Sequence, residues 1–273
     1  MNTTCNYRCS YCTQRFVDDR KQWAKDLPAF VSAFTALPGD WEIKLSGGEP
    51  FRHPRFLETV EELVAGGLRV SVVTNFSDKR ERLERFAELT AGHPGIVSAS
   101  LHLEYVDVDA FVEKAAWFQE LHAGAFCVTC VGTRETLPRM RELEAAFASV
   151  GVRFKVQPEK QDREVIDYSD SERRELIALG GHNATGRIAP SFTGRACWAG
   201  ARYLIVDHRG AAWRCYPARR FRTESLGNVL DGTFRLRFDP EPCRYAYCNC
   251  TVPQERRMVD TSGAEELRPV VAS

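Results

Sequence analysis

From Asp26 to Gly180 the chain alternates between short apolar strand patterns and amphipathic helix patterns, with brief links between them. Such alternation permits few architectures: right-handed βαβ units laid around a parallel sheet. The pattern predicts a helix over Pro28–Ala36, with Pro28 in its first turn and Asp26 as a cap. A strand follows over Trp41–Leu45. The next helix, Pro54–Ala65, gathers Phe56, Leu57, Val60, Leu63 and Val64 on one face and stops at Gly66-Gly67. Strands are then expected over Leu68–Val73, Ile96–Leu103, Ala125–Val131 and Val152–Val156. Helices over Arg80–Thr90, Val108–Leu121 and Pro138–Ser149 interleave with them. A last helix starts at the capping box Ser169-x-x-Glu172 and ends at Gly180-Gly181. A closed eight-unit barrel needs about 250 residues, and only about 180 are available here. The expected fold class is therefore α/β, a partial, open (β/α)6 barrel in residues 1–182.

Past residue 185 the texture changes. Tyr203–Val206 and Ala211–Tyr216 read as two strands joined by a turn at Asp207–Gly210. From there to residue 250 the chain is rich in Cys, Pro, Arg and turn residues. Residues 183–250 are expected to form a small second domain that needs a metal or other staple. Within it, the basic run Arg214–Arg222 reads as a solvated charged face. Residues 251–273 are polar and aperiodic, and a loosely ordered tail is expected.

Lys+Arg and Asp+Glu both number 37. A neutral chain lacks the broad basic field of non-specific nucleic-acid binding, so no nucleic-acid partner is expected. No apolar window is long enough to span a membrane, and no signal peptide is visible, so the expected compartment is cytoplasmic. Ten cysteines are many for such a chain, and in a reducing compartment clustered thiols more often bind metal than pair. Three lie at Cys5, Cys9 and Cys12, a CxxxCxxC spacing. So short a loop can wrap three thiolates around one face of an iron–sulfur cube and leave one iron without a protein ligand. Zinc is the competing metal. A zinc site wants a fourth Cys or His nearby, and the nearest histidine is His53. Cys127 and Cys130 are three apart within a strand, where side chains face opposite ways, and read as core residues.

The Cys5-Asn-Tyr-Arg-Cys9-Ser-Tyr-Cys12 loop, with aromatic Tyr11 before its last cysteine, resembles the defining loop of the radical S-adenosylmethionine (SAM) superfamily. The resemblance implies a [4Fe–4S] cluster whose open iron is chelated by SAM. It also implies reductive cleavage of SAM to methionine and a 5′-deoxyadenosyl radical that abstracts hydrogen from a substrate. One βα unit later, Gly47-Gly48-Glu49-Pro50 is similar to the family's GGE-type motif, whose backbone and carboxylate hold the methionine amino group. Thr74-Asn75, at the next strand end, matches a pair placed near the SAM ribose or carboxylate. Later strand ends offer Ser100, His102, Glu104, Gly132, Thr133, Gln157 and Glu159 as further candidates for SAM or substrate contacts. Only Met1–Thr4 precede Cys5, so the family's first strand is expected to be stubby or to start upstream.

Cys197, Gly210-x4-Cys215, Cys243, Cys248 and Cys250 resemble the auxiliary-cluster extensions called SPASM and twitch domains. Five cysteines imply the shorter twitch type with one auxiliary [4Fe–4S] cluster, although the ending Cys243-x4-Cys248-x-Cys250 departs from the usual CxxC and leaves one thiol to spare. Zinc remains the alternative for this group. The class of chemistry leaves two substrate readings. The first is oxidation or epimerisation of a small sugar-like or aminocyclitol-like natural product. The second is modification of a ribosomally made peptide by cross-linking, thioether formation or epimerisation. A one-electron reductant such as flavodoxin or ferredoxin is the expected protein partner.

Overall fold

The computed structural model describes residues 3–12, 20–161, 164–180, 192–245 and 258–259. They fall into two compact units, Met1–Gly181 and His182–Ser273.

In the first unit, helix α1 (Arg20–Thr35) leads to β1 (Glu42–Leu45), then α2 (Phe56–Ala65), β2 (Arg69–Thr74), α3 (Arg80–Thr90), β3 (Pro94–Leu101), α4 (Val108–Leu121), β4 (Phe126–Gly132), α5 (Met140–Ser149) and β5 (Phe154–Pro158). A short ribbon of β6 (Lys160–Gln161) and β7 (Glu164–Val165) precedes α6 (Asp170–Ala178). The five strands β1 to β5 are parallel and adjacent in chain order, as repeated right-handed crossovers require. Strand residues of one parity pack under the helices. Val70, Val72, Val97, Ala99, Leu101, Val128, Cys130 and Val156 are all buried, against Phe56, Phe86, Phe118 and Phe147 from the helices. The other parity carries most of the polar strand residues, alongside Val73, Cys127 and Val131. In register across β3, β4 and β5 lie Ser98 beside Cys127, and Ser100 beside Thr129 beside Lys155. Cys127 and Cys130 are both buried, in keeping with their reading as core residues.

Two expectations change. Among the described residues the sheet has five parallel strands, not six. Thr3 and Thr4 form no strand, and Thr4 O accepts one backbone hydrogen bond, from Glu49 N at 2.8 Å, before the chain turns into the cysteine loop. Helix α1 begins well before Pro28, which therefore lies inside it rather than in its first turn.

In the second unit, β8 (Ala196–Cys197) pairs with β12 (Glu241–Pro242), and β9 (Ile205–Val206), β10 (Ala211–Trp213) and β11 (Ser225–Asn228) form an antiparallel sheet. Gly210 closes the β9–β10 turn at φ 84°. A side chain there would strike Asn228 Oδ1 at 2.3 Å. The second expected strand stops at Trp213, because Cys215 caps a short helix α7 (Tyr216–Phe221) whose early turn holds Pro217. The basic run is not a solvated face throughout. Arg214 is 2% exposed and pairs with buried Glu224 at 2.8 Å. Its guanidinium also donates to the carbonyls of Cys197, Ala199, Glu241 and Pro242. The expected tail is likewise not all loose. Val259 is buried and bridges Cys197, and Met258 O accepts from Trp198 N at 2.8 Å. No helix among the described residues is long and apolar enough to cross a membrane.

Candidate cluster and SAM site

The cysteine loop lies at the carboxyl ends of the strands, where parallel-barrel chemistry sits. Cys9 O accepts from Cys12 N at 3.1 Å, closing the loop's second half. Tyr7 N donates to Cys5 Sγ at 3.4 Å. The loop is tied to the turn after β3 by three neighbours. Tyr105 stacks on Tyr7 with centroids 4.3 Å apart, and its hydroxyl accepts from Arg8 N at 2.8 Å. Glu104 accepts from Ser10 N. His102 Nδ1 lies 3.2 Å from Cys9 Sγ and 2.8 Å from the Tyr11 hydroxyl. A fourth tie comes from the end of β2, where Asn75 Nδ2 donates to Asn6 Oδ1 at 2.9 Å and approaches Cys5 Sγ at 3.8 Å.

The glycine motif supports the same loop from below. A Cβ on Gly48 would lie 2.2 Å from Thr4 O, so only glycine admits the residue before Cys5. Gly47, at φ 153°, and Pro50, which opens a 3-10 turn over Pro50–Arg52, aim Glu49 inward. Glu49 is 1% exposed. Its Oε1 accepts from Thr74 Oγ1 at 2.8 Å and Phe51 N at 3.0 Å, and its Oε2 from Asn75 N at 2.5 Å. Burial nevertheless pushes its carboxyl up to about 7, the three donors opposing that shift. A cationic group beside it would restore the charge. Glu49, Thr74 and Asn75, assigned separately from sequence, thus form one hydrogen-bonded set.

The loop suits a cluster. Burial pushes up the Cys5 thiol and takes Cys9 to about 11, so bare thiolates are disfavoured there and a metal's positive charge would stabilise them. No three His, Cys, Asp or Glu side chains among the described residues close around a single ion. A four-iron cube takes each thiolate at a different corner.

Beside the loop, a cavity of about 300 Å³ opens on the polar face of the sheet. His102, Ser100 and Gln157, marked in the sequence as strand-end candidates, line it. Lys44, Ser98, Thr129 and Lys155 also line it and carried no sequence signal. Gly132 and Glu159 instead serve Tyr168, which donates to Gly132 O at 2.6 Å and accepts from Glu159 N at 2.7 Å. Thr133 bonds Thr136 within its own turn.

In the second unit Cys197, Cys215 and Cys243 line one apolar cavity with Phe192, Tyr245 and Val259. Burial takes the Cys215 thiol up to about 12 and raises that of Cys243. Three thiols on one pocket suit an iron–sulfur cluster by donor type, each at a different corner, whereas no three of them close around a single zinc ion among the described residues. Cys248 and Cys250 lie outside the described residues.

Comparison with known proteins places these features. Residues 1–122 match the Radical SAM superfamily. The 7-carboxy-7-deazaguanine synthase of Aquifex aeolicus (strain VF5) is 31% identical over 126 residues, 43% of this chain and 56% of that protein. Among solved structures, Streptococcus suis SuiB superposes with TM-score 0.58 at 16% identity, over 85% of this chain and 63% of that one. Native anSMEcpe with bound AdoMet gives 0.57 at 18%, over 85% and 77%. The match thus spans less than two thirds of the synthase and of SuiB, and the two superpositions speak for the fold. With the cysteine loop, the GGE turn and the parallel sheet in these positions, residues 1–122 are a radical SAM domain.

Proposed function

We propose that this chain is a two-cluster radical SAM enzyme that abstracts hydrogen from a small natural-product molecule and uses an auxiliary cluster in its second unit. The observation that carries the reading is the convergence of the Cys5–Cys9–Cys12 loop and the buried Glu49 set on one end of the sheet, beside a polar cavity. When bound, a [4Fe–4S] cluster with SAM at its open iron would supply a 5′-deoxyadenosyl radical on receiving one electron. The chain's own residues do the rest. Cys5, Cys9 and Cys12 hold the cluster. Glu49 takes the SAM amino group, with Thr74 and Asn75 orienting its carboxylate. His102 and Tyr11 flank Cys9. Cys197, Cys215 and Cys243, with one of Cys248 and Cys250, would hold the auxiliary cluster.

The cavity favours a small molecule. Its volume of about 300 Å³ sits at the lower end of the range for small-molecule sites. The sequence relative from Aquifex aeolicus also bears the name of a small-molecule synthase. A second reading, modification of a peptide, draws on the fold likeness to SuiB, which has been solved bound to its precursor peptide SuiA. Oxidation and epimerisation remain the two outcomes for the substrate radical.

Anaerobic reconstitution followed by iron and sulfide analysis, with 5′-deoxyadenosine release under dithionite, tests the reading. About eight irons per chain and 5′-deoxyadenosine are expected. Cys5, Cys9 and Cys12 changed together to Ala should abolish 5′-deoxyadenosine and leave about four irons. Retained 5′-deoxyadenosine in that variant, or zinc in place of iron, overturns it.

A further inference from the structure

We propose that the inner face of the parallel sheet is an anion-binding site, and that the substrate carries a carboxylate or phosphate group held there by Lys44 and Lys155. The proposal rests on the radical SAM reading for calling the occupant a substrate. The side chains alone argue its chemistry.

A sheet of parallel strands is ordinarily buried on both faces and apolar on both. Here the outer face obeys that rule and the inner face breaks it. On the strands, the polar part of the cavity lining comes from Lys44 of β1, Ser98 and Ser100 of β3, Thr129 of β4, and Lys155 and Gln157 of β5, set among Val73, Leu101, Cys130 and Val131. No Asp or Glu lines it. Neither lysine makes a salt bridge among the described residues.

Two ammonium groups on one cavity repel each other, and an anion between them would offset that repulsion. Their arrangement is not an accident of one strand. Lys44 and Lys155 come from the two edge strands, β1 and β5, which the curvature of the sheet turns toward the same space. Ser100, Thr129 and Lys155 lie side by side in one cross-strand row. Hydroxyl donors beside an ammonium are the equipment that anionic oxygens require. A charge facing inward from an edge strand also discourages pairing with another chain. That role calls for no shared cavity and no row of hydroxyls, and the acidic Glu42 on the same face of β1 lies outside the cavity, taken up by Ser71.

SAM itself carries a carboxylate, so the test separates the two sources. Glutarate, inorganic phosphate and uncharged glutaramide are titrated into reconstituted, SAM-loaded protein, and the SAM dissociation constant is measured alongside. Glutarate or phosphate should bind at least about tenfold more tightly than glutaramide, the tighter of the two naming the anionic group. Lys44→Gln and Lys155→Gln should each weaken that anion about tenfold and leave SAM affinity unchanged, which also shows that the variants fold. Lys155→Arg, which keeps the charge, should retain anion binding. Equal binding of glutaramide, or no anion binding by protein that binds SAM, overturns the proposal. So does a loss of SAM affinity in the lysine variants with anion binding intact, because the lysines would then hold SAM's own carboxylate. Protein that binds the anion through these lysines but releases no 5′-deoxyadenosine removes the radical SAM reading and keeps the anion site.

Discussion

Thr74 donates its hydroxyl to Glu49 across 2.8 Å, joining the ends of two strands whose residues are 25 apart in the chain. The bond opposes burial, which still pushes the Glu49 carboxyl up to about 7 with all three donors in place. Thr74→Val should remove one of three donors from a buried acceptor and cost about 1–3 kcal/mol of stability, read by urea denaturation. Glu49→Gln replaces the charge that would meet the SAM amino group. SAM affinity should fall at least about tenfold, as expected for loss of a charge-assisted bond, in equilibrium binding.

Gly48 lies against Thr4 so closely that any side chain must displace the residue before Cys5. Gly48→Ala should therefore act on the cluster through the backbone. Overpacking costs about 1–3 kcal/mol, and the cysteine loop is the movable partner. Iron content after reconstitution should drop by about one four-iron cluster. Unchanged iron would mean that the loop yields without losing its ligand geometry.

Arg214 gathers four backbone carbonyls and Glu224 at the centre of the cysteine-rich unit. Arg214→Met removes a donor from each of those acceptors and leaves Glu224, among the described residues, the more distant Arg237 and Arg244 as ion-pair partners. A loss of about 3 kcal/mol or more is expected, concentrated in residues 192–245. Limited proteolysis should show cleavage there while the first unit stays intact. Arg214→Lys keeps the charge but cannot reach all the carbonyls, and should fall between the two.

His122 ends α4 with its Nε2 on Gly95 O at 3.1 Å and its Nδ1 without a partner among the described residues. Burial holds its pKa below the usual histidine value, with the Gly95 contact opposing. The unfolded chain thus binds this proton more readily than the folded one. Its penalty is absent above about pH 6.5 and grows as pH falls from there toward the folded value, by at most about 1.4 kcal/mol per pH unit. His122→Gln should be less stable than the parent at pH 7.5 and close the gap by pH 5.5, in paired denaturation curves. A gap that stays constant would show that His122 does not titrate in this window.

The chain order of strands and helices, the single short loop carrying Cys5, Cys9 and Cys12, and the turn at Gly47–Pro50 were all legible in the residues. Each depends on relations between neighbours: two-residue and near-four-residue periodicity, ligand spacing in one loop, glycines before a proline. The features that escaped depend on partners far along the chain. Arg214 looked like part of a charged surface run because its acceptors come from residues 197–199 and 241–242. His102 was one strand-end polar group among several until the fold set it beside Cys9, 93 residues away. Lys44 and Lys155 gave no signal, since an isolated lysine on a strand reads as solvated. The sequence by itself determined the parallel α/β plan and the cysteines that suit a cluster. Only the tertiary structure decided which charges share a cavity and which lie buried, because register and curvature bring together strands that no local pattern relates.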